Sequence, residues 1–192
     1  MTAITHGPPA AAAGTADPVP PDVFRETTTR YAGSVTVVAC ADGDPVGCTA
    51  TAVPSLTDRP PALLVSPAGN GGTPARVRTA GRFGVSVLPR EPRSPADRFA
   101  RLPAARRFAG VAHDGRCGAP PLAGAVAGAV CEVTRYVPLA DHPPAVGRVL
   151  HARTDDGGAP LVHFARRRTR PEAASPPGDR RARPSCTGGS PS

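Results

Sequence analysis

Three stretches of this chain carry residue types that could hold a ligand or serve a reaction. The first, GCTATAVPSLTDRPPALLVS over residues 47–66, alternates small hydroxyl and apolar residues and then breaks at a Pro-rich elbow. An extended strand sends successive side chains to opposite faces, so Thr49, Thr51, Val53 and Ser55 share a side. Such a row is either a solvated strand face or the lining of a site. The second stretch, SPAGNGGTP over 66–74, carries Ser66, Asn70, Gly71 and Thr73 in a glycine-rich loop that runs into a helical pattern. Backbone N–H groups and a helix N-terminus can hold phosphate there, and the same composition also makes ordinary turns. The third is His142 in ADHPP, a lone imidazole that is either a solvated loop residue or a group placed beside a ligand.

Other chemistries lack their residues. The five cysteines (40, 48, 117, 131 and 186) are odd in number and include no C-x-x-C pair, so neither a zinc centre nor a disulfide framework is expected. They read as reduced, buried residues, with Cys48 notable for its place in the first stretch. No metal site, catalytic triad or pair of carboxylates emerges. The formal charge is +8, carried by arginine without a single lysine, which with abundant Ala, Gly and Pro reflects GC-rich coding. Seven arginines between 166 and 183, against Glu172 and Asp179, supply +5 of that charge. No aromatic follows Phe164, so the interleaved basic and aromatic face of a nucleic-acid binder is missing, and a solvated tail is expected.

Stepping along the chain gives the elements that must position these residues. Residues 1–21 are Ala- and Pro-rich without periodicity and read as a disordered arm; 22–165 read as one domain, and 166–192 as a disordered Arg/Pro-rich tail. Asp22 reads as the cap of a short helix ending near Gly33. Alternation predicts strands at 34–41, 46–53, 62–68, 82–88, 128–139, 145–155 and 160–165, the first two joined as a hairpin. Helices are predicted at 73–81 and at 94–102, the latter capped by Ser94 with Pro95 at its first position. Strands broken by single helices favour a small antiparallel barrel over a parallel, doubly wound sheet. No window is long and apolar enough to span a membrane and the first residues lack a secretory pattern, so a cytoplasmic protein is expected.

The order of FRETTTRYAGSVTVVA, GCTATAVPSLTDRPPALLVS, AGRFGVSVL, RRFAGV, GAPPLAGAV, CEV and DHPPAVGRV resembles the flavin reductase-like family from Phe24 to about Phe164. The resemblance implies a mainly β fold, a split antiparallel barrel with a few short helices. It implies an NAD(P)H:flavin oxidoreductase that reduces FMN or FAD by hydride transfer from NADH or NADPH, and that supplies a partner monooxygenase. It also implies a homodimer, with flavin near the subunit interface. By resemblance, Thr49, Ala50, Thr51 and Ala52 form the floor under the flavin, and Ser66, Asn70, Gly71 and Thr73 lie around its phosphate. His142 is then the residue that positions the nicotinamide.

The sequence also departs from the family pattern. Gly69 stands where the family has a basic residue on the phosphate, Ala140 replaces a glycine before Asp141, and Ser86 replaces an asparagine. After PLVHF the family's glycine and final tyrosine are missing. Losing one charge-assisted bond to phosphate costs roughly 1.5–3 kcal/mol, which predicts weak flavin binding. The same departures leave open a second reading, a non-catalytic flavin-binding subunit that works as an interaction protein. His113, His151 and His163 match no family position and read as structural or exposed.

Overall fold

The computed structural model describes residues 17–68, 72–90, 95–115, 118–139, 142–155 and 158–169. Four short helices, α1 (Pro21–Thr28), α2 (Thr73–Ala80), α3 (Ala96–Arg101) and α4 (Ala104–Arg107), punctuate an otherwise antiparallel β architecture. The strands are β1 (Gly33–Ser34), β2 (Thr36–Ala41), β3 (Pro45–Ala50), β4 (Ser55–Asp58), β5 (Pro61–Val65), β6 (Arg82–Val87), β7 (Ala127–Tyr136), β8 (Ala145–Thr154), β9 (Val162–Phe164) and β10 (Arg167–Thr169). Seven of them form one sheet in the order β3-β2-β6-β7-β8-β5-β4, and β1-β9-β10 form a second. The expected mainly β, antiparallel fold is present.

β2 explains how the sheet is buried. Its run of β-branched and small residues is covered on both sides, because alternate residues feed two cores. Val37 and Ala39 pack with Phe99 of α3 and with Phe108, whose rings meet edge to face at 4.9 Å. Val38 and Cys40 pack on the other side with Val65, Val77 of α2 and Phe83. The GAPPLAG segment closes over β6: the Leu122 N–H donates to Ser86 Oγ at 2.9 Å, which gives the buried serine a structural task.

Several expected boundaries move. β3 stops at Ala50 rather than residue 53, because the chain bends at Thr51, and Ser55–Asp58 form a strand where only an elbow was expected. α1 starts at Pro21 with Pro20 in the capping position and no side-chain cap, so Asp22 lies in its first turn instead of capping it. α3 starts at Ala96, and the expected cap Ser94 lies outside the described residues. Order also runs past residue 165, since β10 pairs with β9 from Arg167↔Phe164 to Thr169↔Val162. Residues 1–16 and 170–192, where the arm and most of the tail were expected, lie outside the described residues.

Candidate functional site

β3 delivers its hydroxyl row to a cavity. Register with β2 pairs Thr36 with Ala50 and Val37 with Thr49, so the Thr49 side faces away from the interior that receives Cys48. Beyond the bend, Thr51 and Ala52 are exposed. Together Thr49, Ala50, Thr51 and Ala52 floor a cavity of about 540 Å³. Its walls are Ser66 and Ala68 after β5, Phe24 and Thr28 from α1, and His142 from the β7–β8 connection. Residues from Phe24 to His142 thus meet in one place. Among the described lining residues none is acidic.

Hydrogen bonds commit three of the lining hydroxyls, that of Thr28 donating to the Arg25 carbonyl at 3.1 Å within α1. Thr49 Oγ1 donates to the Ala96 carbonyl at 2.7 Å and ties β3 to the start of α3. Thr49 therefore shapes the floor while its proton is spent on structure. Thr49→Val keeps the volume and removes that bond, so it should cost about 1 kcal/mol of stability, seen as a lower Tm, and leave the cavity's ligand affinity as it was. Ser66 Oγ donates to the backbone carbonyl of His142 at 2.7 Å, joining the end of β5 to the histidine loop. That loop is braced further by buried Pro143 and by the Val137 N–H donating to Pro144 O at 2.9 Å.

Thr73 sits at the first position of α2, fully buried, with its Oγ1 against the Cys48 thiol and no further partner among the described residues. The helix has Gly72 at its N-cap, no side-chain cap and no acid in its first turn. A helix start without a side-chain cap or a first-turn acid suits an anion. The expected phosphate-loop members Asn70 and Gly71, with Gly69, lie outside the described residues.

Cys48 lies under the floor rather than in it. Burial pushes its thiol up, and the Thr73 hydroxyl and the Arg107 guanidinium pull it part of the way back. Burial raises Cys40 to about 11 and Cys131 to about 12, so neither is an activated nucleophile at neutral pH. Arg107 Nη1 also donates to Gly47 O at 2.7 Å, fixing the strand just before the floor begins.

Two residues missed from sequence, Phe24 and Thr28, wall the cavity. Their signal was present in α1, a helix with apolar residues at helical spacing and none of them buried. A second cavity of about 410 Å³ adjoins the first, sharing Thr28, Thr51 and Ala52 and adding Tyr31, Gly33 and His163. His163, read as structural or exposed, lines this second cavity, and His113 packs edge-on against Phe108 at 5.2 Å. The described residues include no group of three or more potential metal ligands.

Comparison with known proteins bears on the family and the fold. The family model described as a flavin reductase like domain matches residues 28–172. The reductase component of a 4-nitrophenol 4-monooxygenase/4-nitrocatechol 2-monooxygenase from Rhodococcus opacus is 37% identical over 142 residues, covering 73% of this chain and 76% of that protein. An NADH-dependent flavin reductase from a Rhodococcus species is 35% identical over 164 residues, covering 79% and 88%. The solved structure of an NADH:FAD oxidoreductase from Streptomyces globisporus superposes with a TM-score of 0.74 at 27% identity, covering 84% of this chain and 99% of that one.

Proposed function

Because the chain belongs to the flavin reductase-like family, we propose that it is an NAD(P)H:flavin oxidoreductase with a split-barrel fold, whose reduced flavin serves a partner monooxygenase. The observation that carries this reading is the convergence of Thr49–Ala52, Ser66 and His142 on one cavity. A bound flavin supplies the hydride acceptor at its N5, and the nicotinamide C4–H bond supplies the hydride.

The residues present fit that task by position. Ala50 and Ala52 keep the floor low, leaving height for two stacked rings. The exposed Thr51 offers a hydroxyl to a polar ring edge. Thr73 and the N-terminus of α2 receive the phosphate, with Gly69 in place of the family's cation, so flavin binds weakly and exchanges as a substrate. His142 stands at the cavity wall where the nicotinamide enters, and Ser66 holds its loop. No nucleophile or general acid is required, since hydride transfer here is governed by proximity and orientation.

Ser66→Ala should release the His142 loop and raise the KM for the nicotinamide roughly two- to tenfold, the worth of one hydrogen bond. Steady-state kinetics at saturating flavin check this, with Tm as the control. The exposed Phe24 and Tyr31 at the cavity rim, 58% and 69% exposed, are apolar area that a second copy would cover, which supports a homodimer. A cytoplasmic location is proposed on the same family grounds; no helix among the described residues is long and apolar enough to cross a membrane. Anaerobic mixing tests the activity: NADH or NADPH should bleach the visible absorbance of FMN or FAD only with the protein present, and unchanged absorbance would contradict the reading.

A further inference from the structure

Resting on that reading of the first cavity, we propose that the buried hydroxyl of Thr36 makes it the positioning residue of the floor, holding the peptide between Ala50 and Thr51 in the orientation that a flavin ring meets. β2 reads TVVACA, and Thr36 is its one hydroxyl residue. By the two-residue period it shares a side with Val38 and Cys40, in the core that Ala50 also enters, and it is only 2% exposed. A nearly isosteric valine would pack there with no polar group to satisfy. The Thr36 hydroxyl donates to the Ala50 carbonyl at 2.7 Å, at the last register pair of the β2–β3 ladder.

The place of that bond gives it its effect. β3 and β4 are opposite edges of the seven-stranded sheet, and residues 51–54 join them, so the floor is the seam at which the sheet closes on itself. On the β5 side backbone bonds hold the seam: the Ser66 N–H donates to Ala52 O at 3.2 Å and the Leu64 N–H to Pro54 O at 3.0 Å. At the β2 end Thr36 supplies a side-chain bond, just where the chain bends at Thr51. A peptide unit is planar, and its C=O and N–H point in opposite directions. Holding the Ala50 carbonyl against Thr36 therefore aims the Thr51 N–H away from that core, at the exposed start of the floor. Thr36 lies behind the cavity and acts through Ala50 and Thr51, which line it.

The experiment compares wild type with Thr36→Val, which keeps the bulk without the hydroxyl, and Thr36→Ser, which keeps the hydroxyl without the methyl. Both variants should lower Tm by a similar amount, about 2–4 °C in a domain of this size. Turnover should separate them. Thr36→Val should lower kcat for flavin-dependent NADH oxidation about tenfold, since a misplacement of about an ångström costs about a hundredfold and one lost bond moves the peptide by less. Thr36→Ser should stay within about twofold of wild type. Thr36→Cys, with a weaker donor of similar size, should fall between them. A readout without nicotinamide accompanies the kinetics: quenching of FMN fluorescence gives Kd, which should rise about two- to tenfold in Thr36→Val, the worth of one hydrogen bond, and hold in Thr36→Ser. Losses that follow Tm equally in the valine and serine variants overturn the proposal, and so does Thr36→Val protein with the kcat and Kd of wild type. Wild-type protein that binds FMN without oxidising NADH contradicts the reductase reading alone, and the Kd series then decides the proposal. Wild type that does neither overturns both.

Discussion

Ala52→Trp should fold normally and lose flavin-dependent turnover by roughly a hundredfold, the penalty for displacing reacting groups by about an ångström. Ala52 is exposed, so an indole there meets no packed core and the Tm should hold. It also lies where the two cavities join, so no bulky side chain at this position can avoid both. The floor is level because positions 50 and 52 end at a Cβ. Steady-state NADH oxidation at saturating flavin, beside a thermal melt, checks the result. Turnover within twofold of wild type, with the Tm unchanged, would remove the floor assignment.

Gly147→Val should destabilise the fold itself. Gly147 is the glycine of DHPPAVGRV, and it is buried in β8 opposite Leu63 of β5 and Val133 of β7. A Cβ added there would stand only 2.6 Å from Phe83 Cε1 and 2.7 Å from the Cys131 Cβ, and closer still to Phe83 Cζ. Phe83 and Cys131 are both fully buried, so neither can swing into solvent. Overpacking of this kind costs about 3 kcal/mol or more, which in a domain of this size lowers Tm by about 6–12 °C. Denaturant or thermal unfolding reads it directly. An unchanged Tm would mean that the β5–β8–β7 packing is not as described. The motif glycine is thus explained by ring space at the centre of the sheet, five residues from His142.

How much of this was legible in the sequence depends on the range of the interactions. Strand alternation set Thr49 opposite Cys48, because the two-residue period is local, but it could not foresee the bend at Thr51 that ends the strand and the shared row. It could not reveal that the Thr49 proton goes to Ala96, 47 residues away, or that Ser66 reaches His142 across 76 residues. β4 was read as an elbow because all four of its residues are exposed and leave no alternation to detect; it exists by pairing with β5 through a register shift. The tail boundary was set one hairpin too early, since RRRT reads as solvated charge and becomes a strand only by pairing with Val162–Phe164. At that turn Ala165 and Arg166 both adopt positive φ, 49° and 59°, a conformation that residue type alone argues against. His163 was passed over for the same reason, because its place in the second cavity follows from pairing with Gly33, 130 residues earlier in the chain.

The motifs, by contrast, were legible as a set. The small-residue floor, the glycine-rich loop before α2 and the histidine loop lie far apart in sequence, and resemblance joined them into one reading before any geometry was available. The structure brings the floor, Ser66 and His142 onto one cavity, and puts Thr73 at a buried helix start. Phe24 and Thr28 were legible only as an amphipathic helix without a partner, which named the element and not its task.

The most direct test of the central claim is the rate of NADH and NADPH oxidation by the purified protein, followed through the loss of nicotinamide absorbance, with and without added FMN or FAD. Oxidation that depends on flavin and saturates with it is the result expected from a cavity that brings the two rings together. Oxidation that is absent or indifferent to flavin, together with unchanged flavin fluorescence on mixing, would contradict it.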